Sequence, residues 1–322
     1  MNKRRRKLTR ALLGIAPTAV GFKQREFRAV SEAVRVRLEH AGTSFLDGYH
    51  AALDHHSLPD LETELNLISD DWRGFAFEGA AMGLALLDAL MPWGCSRITA
   101  FLEGPGVPHV YMVHVGVGWV WARVPFGRQK SRGRLDPLLQ WLAFDGWGFH
   151  EGFFHWRNYA GGKALPARLR GYEIRAFHQG LGRAWWFVNG GDPAWIAEMI
   201  APFPALTQSD LWSGVGLAAT YAGELNSEGL TDLRTRAGSF APQLAQGAAF
   251  AAKARERAGN LTEYTSLATR FLCGISATEA ARLCDQSLEN LPAGGAEPPY
   301  ETWRCRIQRK FSQQPQPQLV NP

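Results

Sequence analysis

Seven polar side chains crowd the middle of this 322-residue chain at spacings suited to acid–base chemistry. They are Asp145, His150, Glu151, His155, His178, Gln179 and Arg183. Glu151 with His155, and Gln179 with Arg183, stand four residues apart, so on a helix each pair meets on one surface. Large aromatic residues surround them, among them Trp141, Trp147, Phe149, Trp156, Trp185 and Trp186. A carboxylate or imidazole held among such rings, away from water, acquires a shifted pKa and can act as general acid or base. Asp145, His150 and Glu151 are therefore the catalytic candidates. Trp147, His178, Gln179, Arg183, Trp186 and Glu78 are the candidates for contact with a bound molecule. The competing reading makes the same groups ties between neighbouring helices and the tryptophans plain core.

Other chemistries fit less well. His150-Glu151-Gly152-Phe153-Phe154-His155 looks like a zinc-protease helix, but its histidines are five apart, about 140° around the helix rather than on one side. His114, His150 and His178 each precede a glycine by two residues. Equivalent positions of stacked helices lie about 8–10 Å apart, whereas zinc needs every ligand near about 2 Å, so no metal is expected. The phosphate-binding and dinucleotide loops and the nucleophile elbow are missing, and no cofactor is called for.

The elements that must position these residues show as a repeat. Six glycines in similar apolar contexts fall at 79, 116, 152, 180, 214 and 247, with spacings of 37, 36, 28, 34 and 33. A period near 34 is that of helical hairpins of the tetratricopeptide kind. The fold expected is all-α, a right-handed solenoid of antiparallel helix pairs with the glycines at helix crossings. Asn189-Gly190-Gly191-Asp192-Pro193 closes one helix and caps the next, with Asp192 at N-cap and Pro193 at N1. Ser209-Asp210 is read as preceding a helix over 211–225, and Asn260 to Glu263 as separating two late helices. Val110 to Val124 is valine-rich enough for a strand, but the repeat register favours a helix. The organisation expected is a basic segment over 1–24, a helical-repeat domain over 25–290, an extension over 291–311 packed on the body, and a disordered tail over 312–322.

Composition narrows the partners. The formal charge is +5, yet six cations lie in the first ten residues, which leaves −1 for the other 312. A nearly neutral body argues against nucleic acid. Arg5-Arg6 faintly suggests an export leader, but no small-residue cleavage site follows it. No stretch is long and apolar enough to span a membrane. The four cysteines have no paired or metal spacing and read as reduced thiols of a cytoplasmic protein.

Three strings, residues 145–152, 177–183 and 300–308, resemble the UnbL-type family, and the likeness runs from about 5 to 311. That family is a bacterial domain of unknown function encoded beside iterative polyketide synthases in enediyne and some other gene clusters. The resemblance implies a pathway of specialised metabolism and no catalytic residue. Two functions remain open. One is an accessory protein gripping a long unsaturated intermediate, or a partner enzyme, along an aromatic-lined helical groove. The other is a cofactor-free cyclase or isomerase of a polyene or isoprenoid chain, using the acid–base residues of the central repeats.

Overall fold

The computed structural model describes residues 9–55, 57–91, 96–124, 126–162, 165–223, 225–292 and 295–313. The basic run over 3–7, Cys95, Lys163 and the tail from 314 lie outside them. All regular structure among the described residues is helical. In chain order the helices are α1 (Phe22–Arg25), α2 (Glu32–Asp54), α3 (Leu58–Asn66), α4 (Asp70–Leu90), α5 (Arg97–Leu102), α6 (Val110–Arg123), α7 (Gly127–Ser131) and α8 (Trp141–Tyr159). They continue as α9 (Tyr172–Val188), α10 (Pro193–Ile200), α11 (Ala205–Ala222), α12 (Ser227–Ala237), α13 (Ala241–Arg257), α14 (Glu263–Cys273), α15 (Ala277–Leu288) and α16 (Pro299–Gln313). None is long and apolar enough to cross a membrane.

The longer helices α2, α4, α6, α8, α9, α11, α13 and α15 form a row in which each packs on the next. Glycine makes this possible. A Cβ on Gly180 would sit 1.8 Å from the carbonyl oxygen of Asp145 in α8, and one on Gly214 would sit 1.9 Å from that of Gln179 in α9. No side chain fits in such a gap, so backbone lies directly on backbone. The motif is Gly-x-Gly: Gly180 faces the preceding helix, while Gly182 faces Leu211 of the following one. Neighbours run parallel. Gly148 meets Phe177 and Leu181, and Gly152, one turn on, meets Leu181 and Ala184.

This register corrects the expected one. In α8 the glycine facing the preceding carbonyl, that of Val115, is Gly146, whereas Gly152 meets the Ala184 methyl. With Gly146 in place the spacings become 37, 30, 34, 34 and 33. His114 and His178 then share their position with Phe144, and His150 leaves the set. The unit also differs from a hairpin of equal arms. A long helix is usually followed by a short return, so long neighbours point the same way, and α10, α12 and α14 pack on one another in sequence.

Local expectations fared unevenly. The turn after α9 is as read: Gly190 and Gly191 have φ of +56° and +71°, and the Asp192 side chain accepts from the Trp195 amide at 2.8 Å. The valine-rich stretch is helix α6, because it is buried nearly all round and its backbone bonds must close within the segment. Asp210 is not a turn residue: α11 starts at Ala205 and holds Asp210 fully buried. Ser312 and Gln313 continue α16, two residues into the expected tail.

The row curls until its late helices touch its early ones. Arg255 of α13 donates to the carbonyls of Tyr221 at 2.7 Å and Asp71 at 3.1 Å, and Asn260 donates to that of Asp70 at 2.9 Å. Arg37 of α2 donates to the Ala222 carbonyl at 3.0 Å. Helix α16 packs against α13 and α15, with Tyr300, Trp303, Arg304 and Ile307 buried.

Candidate functional site

The residue just before each ladder glycine is on the face that the row curls around. These residues are Glu78, Val115, Asp145, Gln179, Ser213 and Gln246, and the five polar ones are at most 1 % exposed. Four residues on, along the same face, stand Met82, Trp119, Phe149, Arg183, Leu217 and Phe250. A buried polar file flanked by large side chains is thus a product of the repeat.

Arg183 is its centre. Its Nη1 lies 2.5 Å from Asp145 Oδ1, and Gln179 donates to Asp145 Oδ2 at 2.8 Å. Its Nη2 lies 3.7 Å from Glu78 Oε2, while the Trp119 indole donates to Glu78 Oε1 at 2.9 Å. The guanidinium sits 4.7 Å above the Phe149 ring. Gln179 reaches the Tyr300 hydroxyl at 3.2 Å, which ties α16 to the centre. Burial opposes the charge on Arg183, but Asp145 and Glu78 outweigh it and raise its pKa. One cation serves two carboxylates here. Burial pushes Glu78 up to about 7, against the pull of Arg183 and the Trp119 hydrogen bond. Glu78 is therefore the group that exchanges a proton near neutrality.

Two small cavities flank this centre, and Arg183 lines both. One is walled by Met112, Val115, Leu142, Leu217 and Tyr221, the other by Phe45, Phe75, Glu78, Trp119 and Phe149. Each holds about 30 Å³, room for one or two waters. The buried Tyr221 hydroxyl, above Gly74, has no hydrogen-bond partner among the described residues.

The three catalytic candidates do not form one set. Asp145 belongs to Arg183, whereas His150 and Glu151 lie on the other side of Trp119, whose ring meets His150 edge-on at 5.5 Å. His150 Nδ1 is 3.3 Å from Glu151 Oε1, and the Tyr159 hydroxyl donates to Glu151 Oε2 at 2.9 Å. Burial lowers the His150 pKa, and Glu151 offsets this only in part, which favours the neutral imidazole. Burial would raise Glu151, but His150 and Tyr159 hold it below the usual carboxylate value. His155, at a kink with φ −133° and ψ 28°, acts on Glu151 through its charge, while His150 and Tyr159 make the hydrogen bonds.

Of the proposed ligand contacts, Glu78, Gln179 and Arg183 join the centre. Trp147 packs on Phe177, and Trp186 is core beneath Gly191. His178 is buried beside Phe177, and burial lowers its pKa to about 4. Trp119, Tyr221 and Tyr300 were not singled out by spacing. Trp119 stands four residues after Val115, the position just before Gly116 in α6, and that is the signal for it.

A second buried network fastens α16. Arg175 grips Asp210 at 3.0 and 3.1 Å and Glu301 at 2.8 Å, while Arg304 reaches Asp210 at 2.9 Å and Glu301 at 3.1 Å. Among the described residues no three His, Cys, Asp or Glu side chains gather as metal ligands would.

These groups set a pH profile. Folded Glu78 keeps its proton to about pH 7, whereas its unfolded value is 4.5. Stability from it is full below 4.5 and is lost as pH rises through 7, roughly 3 kcal/mol in all. His109 and His178 are lowered by burial from 6.5 to about 4. Their contribution is full above 6.5 and is lost as pH falls towards 4. Burial also lowers His50, His114 and His150, so five histidines oppose one carboxyl, and the melting temperature should rise from about pH 5 to about pH 7 and then level off. Glu78→Gln removes the one opposing slope and should steepen the rise. Thermal melts from pH 5 to 8 check this, and a flat wild-type curve would contradict it.

Fold and site together define an all-α protein of glycine-stitched parallel helices around a buried carboxylate–guanidinium centre. The chain belongs to the DUF1702 family, proteins of unknown function, whose pattern matches residues 4–311. No curated protein and no solved structure matches it.

Proposed function

We propose that this protein is an acid–base catalyst of specialised metabolism that moves a proton along an apolar, unsaturated, carbonyl-bearing chain. The observation that carries the reading is Glu78: a fully buried carboxyl with a pKa of about 7, beside Arg183 and against aromatic rings. A base with a pKa near the working pH is best matched to proton transfer. Ionised Glu78 would take a proton from the carbon next to the carbonyl. Arg183 would balance the charge developing on the oxygen, which counts for more in a dry site than in water. Protonated Glu78 would then return the proton at a conjugated carbon, so the double bond shifts. Asp145 and Gln179 position Arg183. Enediyne-type polyketide pathways, which the family resemblance implies, carry intermediates of this class.

A cavity of about 30 Å³ admits such a chain only after lining side chains move aside, so binding is an induced fit. The alternative, an open groove along the repeats, suits the geometry less well because the row closes on itself and α16 covers part of it.

The test begins with deletion of the gene and isolation of the intermediate that accumulates. Purified protein given that intermediate in D2O should exchange and shift its double bonds. Glu78→Gln should lower the rate at least about 100-fold without loss of melting temperature. His150→Ala and Glu151→Gln should lower it less than about tenfold. Full activity in Glu78→Gln would remove the proposal.

A further inference from the structure

We propose that the cleft between α7 and the start of α8 is a binding site for a phosphorylated small molecule, an organic phosphate or diphosphate ester. The body of the chain is nearly neutral, yet residues 123–134 hold Arg123, Arg128, Lys130, Arg132 and Arg134 and no acid. Arg128 and Arg132 line an open cleft of about 590 Å³ together with Gln129, Leu135, Pro137 and Gln140. That volume is typical of a small-molecule site. A nucleic acid would need a longer basic face.

The two guanidiniums are held as a pair. Glu173, near the start of α9, accepts from Arg128 at 3.1 Å and from Arg132 at 2.9 Å. Arg132 also donates to Gln140 at 3.0 Å and lies 5.3 Å above the Phe144 ring, which fixes its plane. Each guanidinium has five N–H groups in a rigid fork, enough to serve both a carboxylate and a bound phosphoryl group. Arg168 and Arg170 follow on the adjoining loop, where the Arg168 carbonyl accepts from Arg128 and the Arg170 amide donates to Glu173. Against Arg128, Arg132, Arg134, Arg168 and Arg170 stand Glu173 and Asp136, a local charge of +3.

Two further features suit an anion. Gln140, at the N-cap of the 19-residue helix α8, puts a polar side chain in the wall. Asp136 is occupied with the Leu138 and Leu139 amides at 2.8 and 2.9 Å. Leu135 and Pro137 in the wall offer apolar contact to the organic part.

Calorimetric titration of the full chain at low salt tests this, with three probes: inorganic pyrophosphate, adenosine diphosphate and an alkyl diphosphate. All should bind. The tighter of the two esters tells whether the source is a nucleotide or a lipid-like chain. Arg128→Gln and Arg132→Gln should each weaken binding about tenfold. Because both also support Glu173, Arg134→Glu, on an exposed residue, provides a variant with an unperturbed fold, and it should weaken binding about threefold through the local field. Absence of heat with all three probes at millimolar concentration overturns the proposal. So does affinity unchanged in all three variants. Neither outcome touches Glu78, so this inference and the catalytic reading stand or fall separately.

Discussion

Leucine at position 180 is expected to cost more than about 4 kcal/mol, a large share of the roughly 5–15 kcal/mol that holds a typical domain folded. The reason is local. The Cβ alone would lie 1.8 Å from the Asp145 carbonyl oxygen and 2.7 Å from the Phe149 amide nitrogen. Both obstacles are backbone, so no rotamer change relieves them. The α8–α9 crossing must open along its length, and the Arg183–Asp145 contact opens with it. Gly180→Ala should already cost about 2–4 kcal/mol, because the clash begins at Cβ. Gly133→Ala is the control: nothing lies within 4 Å of its Cβ position, and its stability should change by less than about 0.5 kcal/mol. Urea midpoints of the three variants decide the matter. If Gly180→Ala unfolds with the wild type, the backbone contacts at this crossing are not what holds the row together.

The same glycines explain how much the sequence disclosed. Their recurrence was legible because a backbone-on-backbone contact tolerates no other residue, so the period survives in plain text. Its phase was not fully legible. Helix α8 has three glycines, 146, 148 and 152, and the context of Gly152 imitates the pattern as well as that of Gly146 does. Only the carbonyl of Val115, a tertiary neighbour, tells them apart. That slip of six residues had consequences. It put His150 in line with His114 and His178, and it hid the inward file of Glu78, Asp145, Gln179, Ser213 and Gln246.

Asp210 was misread for a related reason. A Ser-Asp pair before an apolar run is a good local cap, and nothing local announces Arg175 and Arg304, which arrive from α9 and α16. Gln179 and Arg183 were found because their i,i+4 spacing is a local fact. Asp145 and Glu78 were named as well, but their grouping around Arg183 with Trp119 was not legible, because these residues come from different helices. Sequence spacing identifies which side chains share a helix face, while the curl of the row decides which faces meet.

Removal of the central cation should be the most costly change at the site. Arg183→Met keeps much of the side-chain bulk over Phe149 but leaves Glu78 and Asp145 buried without their counter-charge. Breaking a buried ion pair from one side costs about 3–5 kcal/mol. The loss should depend on pH in a definite direction. Without Arg183 the pKa of Glu78 rises further, because only burial, Asp145 and the Trp119 hydrogen bond remain to set it. Glu78 can then fold in the neutral form at acid pH, but must be deprotonated at a cost above it. Arg183→Met should therefore be more damaging at pH 8 than at pH 6. Adding Glu78→Gln to Arg183→Met removes one of the stranded carboxylates and should restore about 1–2 kcal/mol, a coupling that a double-mutant cycle measures. Asp145→Asn predicts the converse at Glu78. A like charge disappears and Arg183 is left to one carboxylate, so the Glu78 pKa should fall below 7. A carboxyl-detected NMR titration of Glu78 in wild type and Asp145→Asn reads that shift directly. An unchanged pKa, together with equal losses for Arg183→Met at pH 6 and pH 8, would mean that these charges do not act on one another, and the acid–base role would lose its physical basis.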